Sequence, residues 1–185
     1  MLFFYANMKI LRKYIPLHLI SVLLLVLFVS CKTTETNIYT LPHEEGQLVF
    51  LRPVSIDDKK YVLRDTNFDM TVIINDFQLT ENNTVNYTIH LPKKYYSYID
   101  KVEFFFQTDD FEKILPENVS ILYKDFDKKK NLEVRYSGNI SMECIASMLE
   151  NPDKTKIGLS IDNQTQIFQS ESFSQKLFEL GVLIQ

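Results

Sequence analysis

Between residues 66 and 161 the apolar side chains fall repeatedly on every second position, and that alternation commits a chain to β-strands with one buried face. Val85, Tyr87, Ile89 and Leu91 share one face, with Asn86, Thr88 and His90 on the other. Val102, Phe104 and Phe106 repeat the pattern, as do Val119, Ile121 and Tyr123, then Leu132, Val134 and Tyr136, then Ile157, Leu159 and Ile161. Met70, Val72 and Ile74 fit as well, and Ile73 makes that strand apolar on both faces, which places it centrally. Turn residues separate the runs at Glu81-Asn82-Asn83-Thr84, at Asp127 to Asn131 and at Asp162-Asn163. About eight or nine strands in antiparallel hairpins follow from these spacings.

Two segments keep a helical period instead. Over Met142 to Glu150, Met142, Ile145, Met148 and Leu149 recur at helical spacing, with Ser141 as N-cap and Pro152 beyond the end. From about Ser172 to Leu180, Phe173, Leu177 and Leu180 share a stripe, Ser172 and Gln175 are spaced as a capping box, and Gly181 is the stop. Such stripes need a sheet to lie on. The sequence therefore predicts a mainly β domain, an antiparallel β-sandwich or curved sheet with two short covering α-helices, over residues 47–185.

The chain has 185 residues, and its first 30 hold three basic residues (Lys9, Arg12, Lys13) and no acidic one. Residues 31–185 thus carry 17 Lys and Arg against 24 Asp and Glu, a formal charge of −7. A nucleic-acid partner is not expected, because neutralising phosphates takes clustered cations. A domain of this size buries roughly 68–70% of its unfolded surface, enough for a core without metals or disulfides.

The N-terminus reads as an address. Met8 is the natural start, since Lys9, Arg12 and Lys13 then form a compact positive region before the apolar run from Leu17 to Val29. Thirteen residues suit a signal sequence, whereas a bilayer span needs about 20. The run closes on Phe28-Val29-Ser30-Cys31, which resembles the lipobox of bacterial lipoprotein precursors, in the relaxed form found among spirochaetes and Bacteroidetes. The resemblance covers residues 8–31. It implies cleavage between Ser30 and Cys31, lipid on the Cys31 thiol, and a membrane partner reached through that lipid. Phe28 stands where Leu is usual. Lys32, where an Asp would signal inner-membrane retention in enterobacteria, points to the outer membrane. An uncleaved N-terminal helix and cleavage by an ordinary signal peptidase are the alternatives, and all three readings export residues 32–185. Residues 31–46, polar and without sustained period, read as a flexible tether. With Cys31 acylated, Cys144 has no partner for an intramolecular disulfide.

Sites of chemistry are sparse in this pattern. Asp125, Asp127 and Asn131 imitate a calcium loop but lack its glycine and carry Lys128, Lys129 and Lys130 inside it, so neither a metal nor any other cofactor is expected. His90 is the one folded histidine candidate for a general base, and no GxSxG or HExxH accompanies it. Carboxylate pairs for hydrolysis stay open, since sequence does not fix their separation. Cys144 reads as a small apolar side chain of the first helix. Tyr95, Tyr96 and Tyr98, beside Lys93 and Lys94, form a candidate contact platform for an envelope protein or polysaccharide. Phe105 points away from Phe104 and Phe106 and is expected beneath a helix. The expectation is a lipid-anchored, non-catalytic binding or structural protein of the cell envelope. A lipid-anchored hydrolase using carboxylates or His90 and a small-ligand delivery protein are the alternatives.

Overall fold

A computed structural model describes residues 36–56 and 65–184; the expected signal sequence, with Ser30 and Cys31, lies outside the described residues. The elements in order are β1 (Ile38–His43), β2 (Gly46–Ile56), β3 (Thr66–Asn75), β4 (Gln78–Leu79) and β5 (Asn83–Leu91), followed by a 3₁₀ segment (Lys93–Lys101). Then come β6 (Glu103–Gln107), β7 (Glu117–Phe126), β8 (Leu132–Ile140), α1 (Met142–Glu150), a 3₁₀ turn (Pro152–Lys154), β9 (Lys156–Ile161), β10 (Gln164–Gln169) and α2 (Glu171–Leu183). The expected mainly β, antiparallel architecture with two covering α-helices is what forms. The strands number ten among the described residues, more than the eight or nine that alternation marks.

They make two sheets of unequal width. The larger runs β1-β2-β3-β5-β8-β7, with β4 also on β3, and the smaller runs β10-β9-β6; every pairing is antiparallel. The inner faces meet in one aromatic core, where Phe68 of β3 lies 5.2 Å from Phe104 of β6 and 5.0 Å from Phe173 of α2. Val85, Tyr87, Ile89 and Leu91 are all buried, as their alternation requires. Ile73 is also buried, and β3 is central.

Local chemistry explains the joints. Asp162 and Asn163, at φ of 48° and 61°, form the two-residue turn between β9 and β10, the left-handed geometry that Asn and Asp tolerate. Asp76 and Phe77 form the matching turn between β3 and β4, at φ of 48° and 62°, and leave the Phe77 ring exposed. Asn83, read from sequence as part of a turn, is instead the buried first residue of β5. It repairs the break between β4 and β5: its Oδ1 accepts from the Ile73 N–H at 3.2 Å and its Nδ2 donates to the Thr80 carbonyl.

Four expectations are corrected. Residues 38–46 are not tether: β1 pairs with β2 along six residues, Tyr39 stacks on Phe50 at 4.8 Å, and Gly46 takes φ of 133° at the hairpin end. Thr40 and Pro42 hide that strand from a period count. The second helix starts two residues earlier than expected, because Ser170 rather than Ser172 accepts the Phe173 N–H, at 3.2 Å. It also runs through Gly181 to Leu183. Phe105 is buried, but over Gly158 across the strand pair, with the Lys113 Nζ 4.8 Å from its ring centroid, so a strand glycine and a lysine provide the cover assigned to a helix.

Candidate edge-strand and cleft site

The smaller sheet is too narrow to cover the larger one, and both end strands are left exposed: β1, in five of its six residues, and β7 along its whole length. Alternation of Val119, Ile121 and Tyr123 predicts a buried face, yet all ten residues of β7 are exposed, including Leu122 at 56% and Phe126 at 62%. Among the described residues β7 pairs only with β8, so its other backbone edge carries no strand. Its register on β8 shifts twice, between Glu117 and Ser120 and between Ile121 and Tyr123. Gly138 of β8 lets β7 lie close: a Cβ there would stand 2.7 Å from Pro116 Cβ and 3.0 Å from Val119 Cγ2.

Between β7 and β6 the two sheets part, leaving a cleft of about 360 Å³. Buried Tyr87, Phe104 and Tyr136 form its floor, and exposed Leu115, Val119 and Ile121 form its wall. The floor rings are stacked, Tyr87 on Phe104 at 4.7 Å and on Tyr136 at 4.9 Å. Tyr136 Oη donates to the Ile99 carbonyl at 2.7 Å. Burial pushes the phenols of both tyrosines far above their ordinary range, so the floor stays neutral at any physiological pH. Asp100 and Glu103 stand at the rim, and Glu103 is already paired with Lys113 at 2.6 Å. The arrangement can take up an apolar group.

The outer face of the large sheet is polar and tied together. Asp69 accepts from Asn86 at 2.8 Å and from Arg135 at 2.5 Å, Arg135 donates to Thr88 at 3.1 Å, and Tyr123 donates to Glu133. A second apolar groove lies between α1 and α2, where Leu149 and Leu177 flank exposed Phe178 and Val182.

The tyrosines singled out from the sequence act as staples. Tyr95 is 4% exposed and so withdrawn from any partner. Tyr96 Oη donates to the Lys130 carbonyl at 2.7 Å, with its ring 5.8 Å from Phe126, and Tyr98 bonds Asp162. Together they fasten the 3₁₀ segment to two hairpin tips rather than presenting one face.

His90 does face outward, but it serves a turn. Its Nδ1 lies 3.1 Å from Asp127 Oδ2, while Asp127 Oδ1 accepts the N–H groups of Lys129 at 2.7 Å and Asn131 at 2.8 Å. Burial raises the Asp127 pKa, and the donors from Asn131, His90 and Lys129 outweigh it, holding the carboxyl below its usual value. A carboxylate depressed on folding adds stability above its unfolded pKa and loses it as pH falls through the folded value. Asp127→Asn should therefore lower the thermal midpoint at pH 6, and the gap from the wild type should close in acid below about pH 4. A gap of constant size, measured by circular dichroism from pH 6 to pH 2, would show that the charge plays no part.

Cys144 is half-buried on α1 and packs against the core. Asp109 is paired with Lys154 at 2.6 Å, and Asp110 accepts from Ser147 at 3.1 Å. Among the described residues no three His, Cys, Asp or Glu side chains converge as a metal site. Comparison of the chain with protein-family models, curated proteins and solved structures finds no match.

Proposed function

We propose that this chain is an exported lipoprotein, held at the outer membrane by lipid on Cys31, whose β-rich domain is a non-catalytic module that binds a protein of the cell envelope. The anchoring half of this reading rests on the basic start, the short apolar run and the Phe28-Val29-Ser30-Cys31 lipobox. The binding half rests on one observation: a ten-residue edge strand, exposed from end to end and rich in large apolar side chains, that borders a cleft floored by aromatic rings.

The strand order supports the two halves jointly. Six residues separate Cys31 from β1, a reach of about 25 Å at full extension. β1 and β7 are the opposite ends of the six-strand path, five strand spacings or about 24 Å apart. An anchor leading into β1 therefore leaves β7 on the far edge of the sheet.

Labelling of cells with a palmitate analogue tests the anchor. Label is expected on the wild type and not on Cys31→Ala. Label on neither protein, or on both, overturns lipidation at Cys31. Added protease then reports whether the domain faces the periplasm or the medium. The small-ligand reading keeps one favouring observation, the cleft volume, which lies within the range of ligand pockets.

A further inference from the structure

We infer that the partner is an extended, basic polypeptide segment that adds to the sheet as a strand along β7 and inserts one apolar or aromatic side chain into the cleft. This rests on the binding-module reading above and is independent of the lipid.

Four features of the structure converge. Backbone donors and acceptors along an exposed strand edge are matched in full only by another extended chain. The cleft borders that edge, because Val119 and Ile121 of β7 line it, and an added strand would carry alternate side chains over the same face. The floor is three aromatic rings, which suits an apolar side chain. The rim offers one carboxylate to a cation: Asp100 forms no ion pair among the described residues, while Glu103 is held by Lys113.

A second copy of this chain fits less well in the register centred on Ile121. The two-fold antiparallel register that sets Ile121 on Ile121 and Val119 on Tyr123 also sets Glu117 against Asp125, like charge opposite like charge.

The test uses the full chain in detergent and a fluorescein-labelled peptide, Lys-Thr-Val-Thr-Phe-Thr-Val-Thr-Lys, whose apolar and basic residues share one face when extended. Binding by anisotropy is expected to weaken about tenfold or more when the central Phe becomes Ala, since a filled pocket holds most of the affinity. It should weaken similarly when alternate residues are N-methylated to remove edge donors, and when both peptide lysines become Glu. Ile121→Lys should abolish binding and Asp100→Lys should weaken it several-fold, each with an unchanged thermal midpoint, as expected for exposed positions.

Equal binding of all four peptides would overturn the inference. Undiminished binding of the N-methylated peptide would overturn strand addition. A disulfide dimer of Ile121→Cys formed at low concentration, together with a peptide-blind dimer of the wild type, would assign the edge to a second copy instead. Failure of the palmitate label leaves these affinities untouched, and failure of peptide discrimination leaves the anchor untouched.

Discussion

Gly158→Ala is expected to destabilise the domain by about 3 kcal/mol, the upper part of the range for an overpacked core. For a domain of this size that is a fall of roughly 10 °C in thermal midpoint. The cause is local. A Cβ at residue 158 would stand 2.1 Å from Cζ and 2.2 Å from Cε2 of Phe105, whose ring lies flat over the glycine directly across the β6–β9 pair. The ring has little room to move, since it is 3% exposed and Lys113 stands on its other side. The double variant Gly158→Ala with Phe105→Ala should be more stable than an additive sum of the two single changes, because the clash is gone. Equal midpoints for Gly158→Ala and the wild type would mean that the glycine gap is not what seats the ring.

The second large effect is Phe68→Ala, expected to cost about 3–5 kcal/mol as a cavity in a packed aromatic core. Phe68 touches all three layers: Phe104 at 5.2 Å and Phe106 at 5.7 Å on the small sheet, and Phe173 at 5.0 Å on α2. Its removal loosens the seat of α2 as well as the contact between sheets. Urea unfolding measures the loss, and faster amide exchange along α2 should accompany it. Phe68→Leu, which keeps more of the volume, should cost less. A loss below 1 kcal/mol for the alanine variant would place the three-layer contact elsewhere.

The sequence made visible those features that depend on near neighbours. The β5 alternation puts Val85, Tyr87, Ile89 and Leu91 inward, and Ser141 with Pro152 bounds α1 as read. β1 was hidden because Thr40 and Pro42 interrupt its period, and β10 because Gln164, Gln166 and Gln169 leave it only Ile167 and Phe168 as apolar residues. What alternation does not carry is whether a second layer lies above a strand. Val119, Ile121 and Tyr123 have the pattern of a buried face, but the narrow second sheet leaves Val119 and Ile121 exposed and the register shift after Ile121 turns Tyr123 to the outer face, onto Glu133. Tyr95, Tyr96 and Tyr98 fail as a platform for the opposite reason, since their hydroxyls find Gln164, Lys130 and Asp162, far away in sequence. The cleft was invisible for the same cause: its floor joins β5, β6 and β8.

The strand order also sets a sequence of events in time. Hairpins β1–β2, β7–β8 and β9–β10 join near neighbours and can close within microseconds. β5 must wait for β8, since its partner residues run from Asn83 with Ile140 to Leu91 with Leu132, and loop closure over such distances is slow. A chain that emerges N-terminus first therefore holds a half-sheet of β1, β2, β3 and β5 while its eventual neighbour is still to come. During that interval the tacky rim is β5, with Val85, Tyr87, Ile89 and Leu91 uncovered, and not β7. Aggregation of the nascent protein should thus be governed by how long β5 stands alone.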